Sequence, residues 1–258
     1  MRLAVQAVAS GLCSAVVSAG NTGAYMAFSK ILLRTLAGID RPAIAAKIPT
    51  INGFCVALDL GANVECSFDN HVQFAVMGEA LACRLLGKKN PTVGLLNVGT
   101  EEQKGDAVIQ EAAQILKESE RLNFIGFVEG DDITLGKADV VVTDGFTGNI
   151  ALKSMEGVVR LLMTSIKDAL ASSMLGRLSY LIGSSAFKAV HKKMDPRIYN
   201  GAVFLGLQSA AVKSHGGADA LAFCQAIDVA ANISREIDSV GMGQEIEIKL
   251  KQIYGASL

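Results

Sequence analysis

Val140-Val-Val-Thr-Asp-Gly-Phe-Thr-Gly-Asn149 is a short apolar run that breaks into a loop of Thr, Asp and Gly, and residues 150–162 behind it carry apolar side chains at helical spacing. The same succession of strand, loop and helix occurs three times upstream. Ser18-Ala-Gly-Asn-Thr-Gly-Ala24 joins a strand over 15–17 to a helix over 24–36. Leu58-Asp-Leu-Gly-Ala-Asn-Val64 ends a strand over 54–60, with a helix over 72–86 beyond it. Leu96-Asn-Val-Gly-Thr-Glu-Glu-Gln-Lys-Gly105 joins a strand over 92–98 to a helix over 106–117. A strand over 124–127 continues the pattern, and residues 202–207 and a helical stretch over 218–237 return to ordinary core patterning. The expectation is an α/β protein with a mostly parallel sheet. In such a sheet, loops leaving the carboxyl ends of the strands gather at one edge, where ligands bind. Glycine lets backbone approach a ligand, and amides at the following helix start favour an anion. A phosphate-handling protein is therefore expected.

With 258 residues, 50% of them hydrophobic, the chain suffices for one large α/β domain or two intimate lobes. No linker or low-complexity tract divides it. A net charge of −1 without a sustained basic run argues against a general nucleic-acid surface. Cys13, Cys55, Cys66, Cys83 and Cys224 form no Cys-x-x-Cys pair and have no His at ligand spacing, so they are expected as reduced, mostly buried thiols. His71, His191 and His215 are scattered and build no metal site. The start, Met1-Arg-Leu-Ala-Val-Gln-Ala7, fits a secretory signal poorly. Without an apolar run long enough to span a bilayer, a cytoplasmic protein is the default expectation.

Residues 165–197 differ in character. Leu170, Met174, Leu178, Leu181 and Ile182 fall at helical spacing before Gly183 interrupts, and Lys188, Lys192, Lys193 and Arg197 form the most basic stretch. This amphipathic segment suits either a helix pair packed on the body or across a dimer interface, or a surface helix touching lipid. In the second case Leu175, Leu178, Leu181, Ile182 and Phe187 enter the interface while the lysines meet anionic headgroups. The same lysines also suit an acidic protein partner. The tail from Glu245 reads as polar and uninformative.

Lys104 is the most useful residue for chemistry, because a lysine in a loop at the ligand edge can neutralise phosphate or stabilise an oxyanion. Thr100 lies in the same loop. Asn149 either donates its amide to a carbonyl oxygen or caps the following helix, and Asp144 either orients a neighbour or fixes the turn. Gly20, Asn21, Thr22 and Gly23 make a plausible anion cradle, and Asn63 suits a tight turn as well as a ligand. His215, in Lys213-Ser-His-Gly-Gly217, reads first as a hydrogen-bonded structural histidine that follows an apolar run. No Gly-x-Ser-x-Gly elbow occurs, and no cysteine sits in an activating helix-start position, so a covalent nucleophile is not indicated.

The loops quoted above, with Gly38-Ile-Asp-Arg-Pro-Ala43, Tyr199-Asn-Gly-Ala202 and Lys213-Ser-His-Gly216, resemble those of the bacterial PlsX phosphate acyltransferases, in order through almost the whole chain. The resemblance implies a three-layer α/β/α fold like isocitrate and isopropylmalate dehydrogenases, with a protruding amphipathic helical segment. It implies transfer of a fatty acyl group from acyl carrier protein to inorganic phosphate, giving acyl phosphate for phospholipid synthesis, with no metal or redox cofactor. It further implies a homodimer, peripheral attachment to the cytoplasmic membrane, and hand-over of the product to a membrane glycerol-3-phosphate acyltransferase.

Lys104 and Asn149 occupy the positions of the family's lysine and asparagine motifs and become the catalytic candidates. Gly20, Asn21, Thr22, Gly23, Asn63, Thr100, Asp144 and His215 become the substrate-binding ones. Family members carry an Ala-Met-Gly-Gly-Asp loop and further elements ahead of the Ser18 motif. Residues 1–258 are thus expected as one N-terminally incomplete domain, with 165–197 as a helical insertion. Two rivals accompany this reading. One is a catalytically inactive, membrane-associated scaffold for acyl carrier protein. The other is a nucleotide-dependent dehydrogenase, disfavoured because the loops lack Gly-x-Gly-x-x-Gly with an acid at the ribose distance.

Overall fold

The computed structural model describes residues 1–238 and 241–255. Helix α1 (Arg2–Ala9) precedes β1 (Ala15–Ser18) and α2 (Thr22–Leu33). A hairpin of β2 (Ala43–Thr50) and β3 (Gly53–Leu58) leads to α3 (Phe68–Leu86), β4 (Thr92–Leu96) and α4 (Ala107–Ser119). Strand β5 (Asn123–Val128), α5 (Gly130–Leu135) and β6 (Val140–Val142) follow. The long α6 (Gly145–Ala171), α7 (Met174–Ile182), α8 (Ser184–Met194) and a 3-10 turn (Pro196–Tyr199) return the chain to β7 (Ala202–Leu205) and β8 (Ala210–Lys213), and α9 (Ala220–Asp238) and α10 (Met242–Tyr254) close it.

The eight strands form one sheet in the order β1-β8-β7-β2-β3-β6-β4-β5. Pairings β1–β8, β3–β6, β6–β4 and β4–β5 are parallel, while β8–β7, β7–β2 and β2–β3 are antiparallel. The sheet is thus mostly parallel, with an antiparallel centre. That centre reverses direction three times, so β1 and β8 run opposite to β3, β4, β5 and β6.

The period-two alternation of the strands builds the three layers. Val140 and Val142 join Val56, Leu58, Val93 and Leu95 beneath α3, α4, α9 and α10. Val141, Ala57, Cys55 and Ile44 face the other way, toward α1, α2, α5 and the first turns of α6. Removing these apolar side chains from water on both faces drives the assembly. Tyr25 ties α2 to the edge: its ring meets Phe204 edge-on at 5.2 Å, and its hydroxyl donates to the Val16 carbonyl at 2.9 Å.

Four expectations change. The stretch from Glu245 is most of a helix, because Met242, Ile246 and Leu250 make a buried stripe diluted by Glu, Lys and Gln. The opening residues form α1, which buries Val5 and Val8. The helix after the Asp144 loop does not end before the amphipathic segment but runs unbroken to Ala171, with no buried residue beyond Gly148. The cysteines are all free, yet Cys13 and Cys224 are exposed and only Cys55 is fully buried, so "mostly buried" does not hold.

Candidate functional site

The loop after β3 is organised by an acid that the sequence reading passed over. Asp59 is fully buried, and every contact to its carboxylate is an N–H donor. Oδ1 accepts from the amides of Ile44 at 2.9 Å, Gly61 at 3.2 Å and Ala62 at 3.0 Å; Oδ2 accepts from the Asn63 amide at 2.7 Å and its Nδ2 at 2.9 Å. Burial pushes this carboxyl above its ordinary pKa, and the donors from Ala62, Ile44 and Asn63 offset only part of that rise. The glycine loop is therefore an anion cradle whose anion is its own side chain, so these amides are turned inward and away from a ligand. Asn63 is buried, and its second Nδ2 bond goes to the Pro42 carbonyl at 2.9 Å. Its amide is committed to bracing the turn.

Helix α6 starts against that loop. Asp144 fixes the turn: it caps the helix by accepting from the Thr147 amide at 2.8 Å and from the Thr147 hydroxyl at 2.7 Å. The Gly145 amide donates to the Asn63 carbonyl at 2.7 Å. The approach requires glycine, since a Cβ at Gly148 would lie 2.0 Å from the Asp59 carbonyl oxygen and one at Gly145 would lie 2.5 Å from the Asn63 carbonyl oxygen. With Asp144 as the cap, Asn149 falls in the next turn and is not a capping residue. Its side chain is half-buried and has no hydrogen-bond partner among the described residues.

Lys104 is presented by the loop after β4, which is adjacent to β6 in the sheet. Asn97 folds this loop on itself: its Nδ2 donates to the Lys104 carbonyl at 3.0 Å and its Oδ1 accepts from the Val98 amide at 2.9 Å. Gln110 from α4 holds the far side through the carbonyls of Gln103 and Gly105. Of the loop's acids, Glu102 pairs outward with Lys117 at 2.7 Å. The Lys104 stem passes over Gly99, where a Cβ would stand 3.2 Å from its Cγ. The ammonium is exposed and has no ion-pair partner among the described residues, and Thr100 is exposed beside it. Lys104, in the loop after β4, and Asn149, in the second turn of the helix that follows β6, thus lie beyond the same ends of neighbouring parallel strands, each with its polar end free.

The other candidates lie elsewhere. Because β1 and β8 run opposite to β3, β4 and β6, the loop with Gly20, Asn21, Thr22 and Gly23 and the loop with His215 leave from the opposite strand ends. The expectation of one common edge is corrected on this point. The two loops adjoin each other, with the Ser214 amide donating to the Ser18 carbonyl at 3.0 Å. Asn21 caps α2 through the Ala24 amide at 3.0 Å, and the Gly20 amide is taken by the Ser18 hydroxyl at 3.2 Å. His215 is hydrogen-bonded as expected: its Nδ1 accepts from the Gly217 amide at 3.1 Å, which puts the proton on Nε2, and its backbone amide donates to Asn200 Oδ1 at 2.9 Å.

The thiols near the Asp59 loop are not activated. Burial pushes Cys55 and Cys66 up to about 12, with Asp59 adding to the effect at Cys66, which keeps them protonated and poorly nucleophilic. Glu79, Cys83 and Glu245 do bring their ligating atoms within 4.8 Å of one another. Lys249 already pairs with both Glu79 oxygens, and Arg84 pairs with Glu245 at 3.1 Å. The charge of this cluster is matched internally.

At the far side of α6 the chain leaves the body. No helix among the described residues is long and apolar enough to cross a membrane. Helix α7 nevertheless buries nothing: Met174 is 88% exposed, Leu175 74%, Leu181 70% and Ile182 80%. Phe187 differs from its neighbours, being half-buried with its ring tilted against Tyr180 at 5.6 Å.

Residues 1–237 match the model of a family described as fatty acid synthesis protein. The chain is 56% identical over 257 residues to the phosphate acyltransferase of Rhodospirillum centenum, covering 99% of this chain and 71% of that protein. It is 49% identical to the phosphate acyltransferase of Rhodospirillum rubrum, covering 97% and 71%. Among solved structures, a phosphotransacetylase from Streptococcus pyogenes matches with TM-score 0.56 at 17% identity, covering 95% of this chain and 67% of that one. The EutD phosphotransacetylase from Staphylococcus aureus matches with TM-score 0.55 at 18% identity and the same coverage. At such identities the structural likeness establishes the fold alone.

Proposed function

The chain belongs to the PlsX family of phosphate acyltransferases, and from that premise we propose that it transfers a fatty acyl group from acyl carrier protein to inorganic phosphate. The observation that carries the assignment to this site is the pair of unpartnered side chains, Lys104 in the loop after β4 and Asn149 in the second turn of α6, beyond the same ends of neighbouring parallel strands. A phosphate oxygen attacks the thioester carbonyl carbon, forming the new C–O bond and a tetrahedral oxyanion. The oxyanion collapses, the C–S bond breaks, and the carrier's phosphopantetheine thiolate leaves with the electron pair. Lys104 neutralises phosphate and the developing charge, while the Asn149 amide donates to the carbonyl oxygen as it becomes an oxyanion. Thr100 supports the phosphate beside Lys104. Gly20, Asn21, Thr22, Gly23 and His215, at the other strand ends, belong in this reading to a more distant part of the substrate.

The test is to incubate the purified chain with acyl carrier protein bearing a long acyl chain, with and without phosphate, and to trap acyl phosphate as its hydroxamate. Hydroxamate that requires phosphate supports the reading. Carrier binding without phosphate-dependent product would instead favour an inactive scaffold.

The exposed α7 supports a finer reading, peripheral attachment to a cytoplasmic membrane and formation of a homodimer through the α6–α8 projection. Leu175, Leu178, Leu181 and Ile182 enter the lipid interface, and Lys188, Lys192 and Lys193 meet anionic headgroups. Phe187 is withdrawn from this set by its packing on Tyr180. A membrane location also suits hand-over of acyl phosphate to a membrane glycerol-3-phosphate acyltransferase.

A further inference from the structure

We infer that Asp59 is a positioning residue for Asn149, setting the height and direction of its amide at the reacting carbonyl; this rests on the role given to Asn149 above. Asp59 is fully buried at the carboxyl end of β3 and cannot touch substrate. It acts through three layers of contact. Its carboxylate gathers the amides of Gly61, Ala62 and Asn63. The Asn63 carbonyl in turn holds the first amide of α6, from Gly145, at 2.7 Å. Gly61, whose amide Asp59 tethers, lies directly against Asn149: a Cβ there would stand 3.4 Å from Asn149 Cβ and 3.5 Å from its Cγ.

Both the start of α6 and the surface on which Asn149 rests are therefore referenced to one carboxylate. The five contacts to that carboxylate are all donors, so only an acceptor on both oxygens fits. A carboxamide of the same shape would turn an NH2 group toward N–H groups. The resulting repulsion would open the Gly61–Asn63 turn and release Asn149.

The experiment is a double-mutant cycle on the full chain with Asp59→Asn, Asn149→Ala and the pair, after circular dichroism and thermal unfolding show folded protein. Asp59→Asn is expected to lower kcat by about tenfold to a hundredfold, as misplacement by about an ångström does, while KM for phosphate stays within about twofold. The pair should be no slower than Asn149→Ala alone. In heteronuclear NMR, the Asn149 side-chain amide signal, identified by its loss in Asn149→Ala, should shift or broaden in Asp59→Asn whatever the turnover.

An unchanged amide signal, or losses that multiply in the pair, would overturn the inference. If Asn149→Ala turns over at the wild-type rate, the catalytic role of Asn149 falls and the inference falls with it. Should Asp59→Asn not fold, Asn63→Ala removes one donor and leaves the backbone cradle. A smaller kcat loss that is again non-additive with Asn149→Ala is expected from it, and an additive loss would contradict the inference.

Discussion

Lys104 and Asn149 keep their polar ends free because the loops around them satisfy their own backbone. Asn97 and Gln110 hold the Lys104 loop, and Asp144 and Asn63 hold the start of α6. Donors that are already free break no existing bond when charge develops, and losing one costs about a hundredfold to a thousandfold in turnover. Lys104→Ala and Asn149→Ala are each expected to fall in that range in a hydroxamate assay, with Lys104→Ala also raising KM for phosphate. Wild-type rates in both would remove them from the mechanism. Lys104 stands out in the sequence as a lysine in a Gly-rich loop at the ligand edge, whereas Asn149 reads as either a donor or a helix cap until the family motif singles it out. Asp59 was not legible, although the signal was there: an acid closing the apolar run Phe54-Cys-Val-Ala-Leu58 must find donors. Only the structure shows five of them converging, and only it shows that they take up the amides of the Gly61–Asn63 turn.

At the level of elements, the join between β4 and β6 depends on Asp139. Its Oδ2 accepts from the Thr92 amide at 3.0 Å and the Thr92 hydroxyl at 3.2 Å, and Lys88 pairs with its Oδ1. Partial burial raises this carboxyl's pKa, but the bonds from Lys88 and Thr92 outweigh it and the net shift is downward. A folded pKa below the unfolded one means that the stabilisation is complete above about pH 4 and is lost as pH falls through the lower folded value. Asp139→Asn should therefore cost on the order of 1–3 kcal/mol in urea unfolding at neutral pH. The difference should shrink on acidification, and a gap that stays constant down to strongly acid pH would contradict the assignment. For α7, Leu178→Asp with Leu181→Asp should abolish flotation of the chain with anionic liposomes, and unchanged binding would rule out insertion by this helix. The sequence displayed the amphipathic pattern of α7 but not its setting. Periodicity cannot tell a stripe that packs from one that does not, and the α10 stripe was hidden by the charged residues between Met242, Ile246 and Leu250.

Across the whole molecule, local pattern predicted the mostly parallel sheet and the family resemblance its three layers, while the direction of β1 and β8 came from the topology. Each strand, loop and helix unit looks alike in sequence, and nothing local records that β2, β7 and β8 reverse the sheet between β3 and β1. That reversal divides the glycine-rich loops into two groups. One carries Lys104 and leads into Asn149 on α6; the other carries Gly20–Gly23 and His215. The chain spans 71% of the length of its two Rhodospirillum relatives, so the chemistry assigned here rests on the loops this chain itself contains. The most direct test of acyl transfer to phosphate is stoichiometric: release of free carrier thiol and formation of acyl phosphate, followed together while phosphate is varied. The account predicts that thiol and acyl phosphate appear one for one, and only when phosphate is present. Thiol released without phosphate, or no thiol released from folded protein at saturating phosphate, would contradict it.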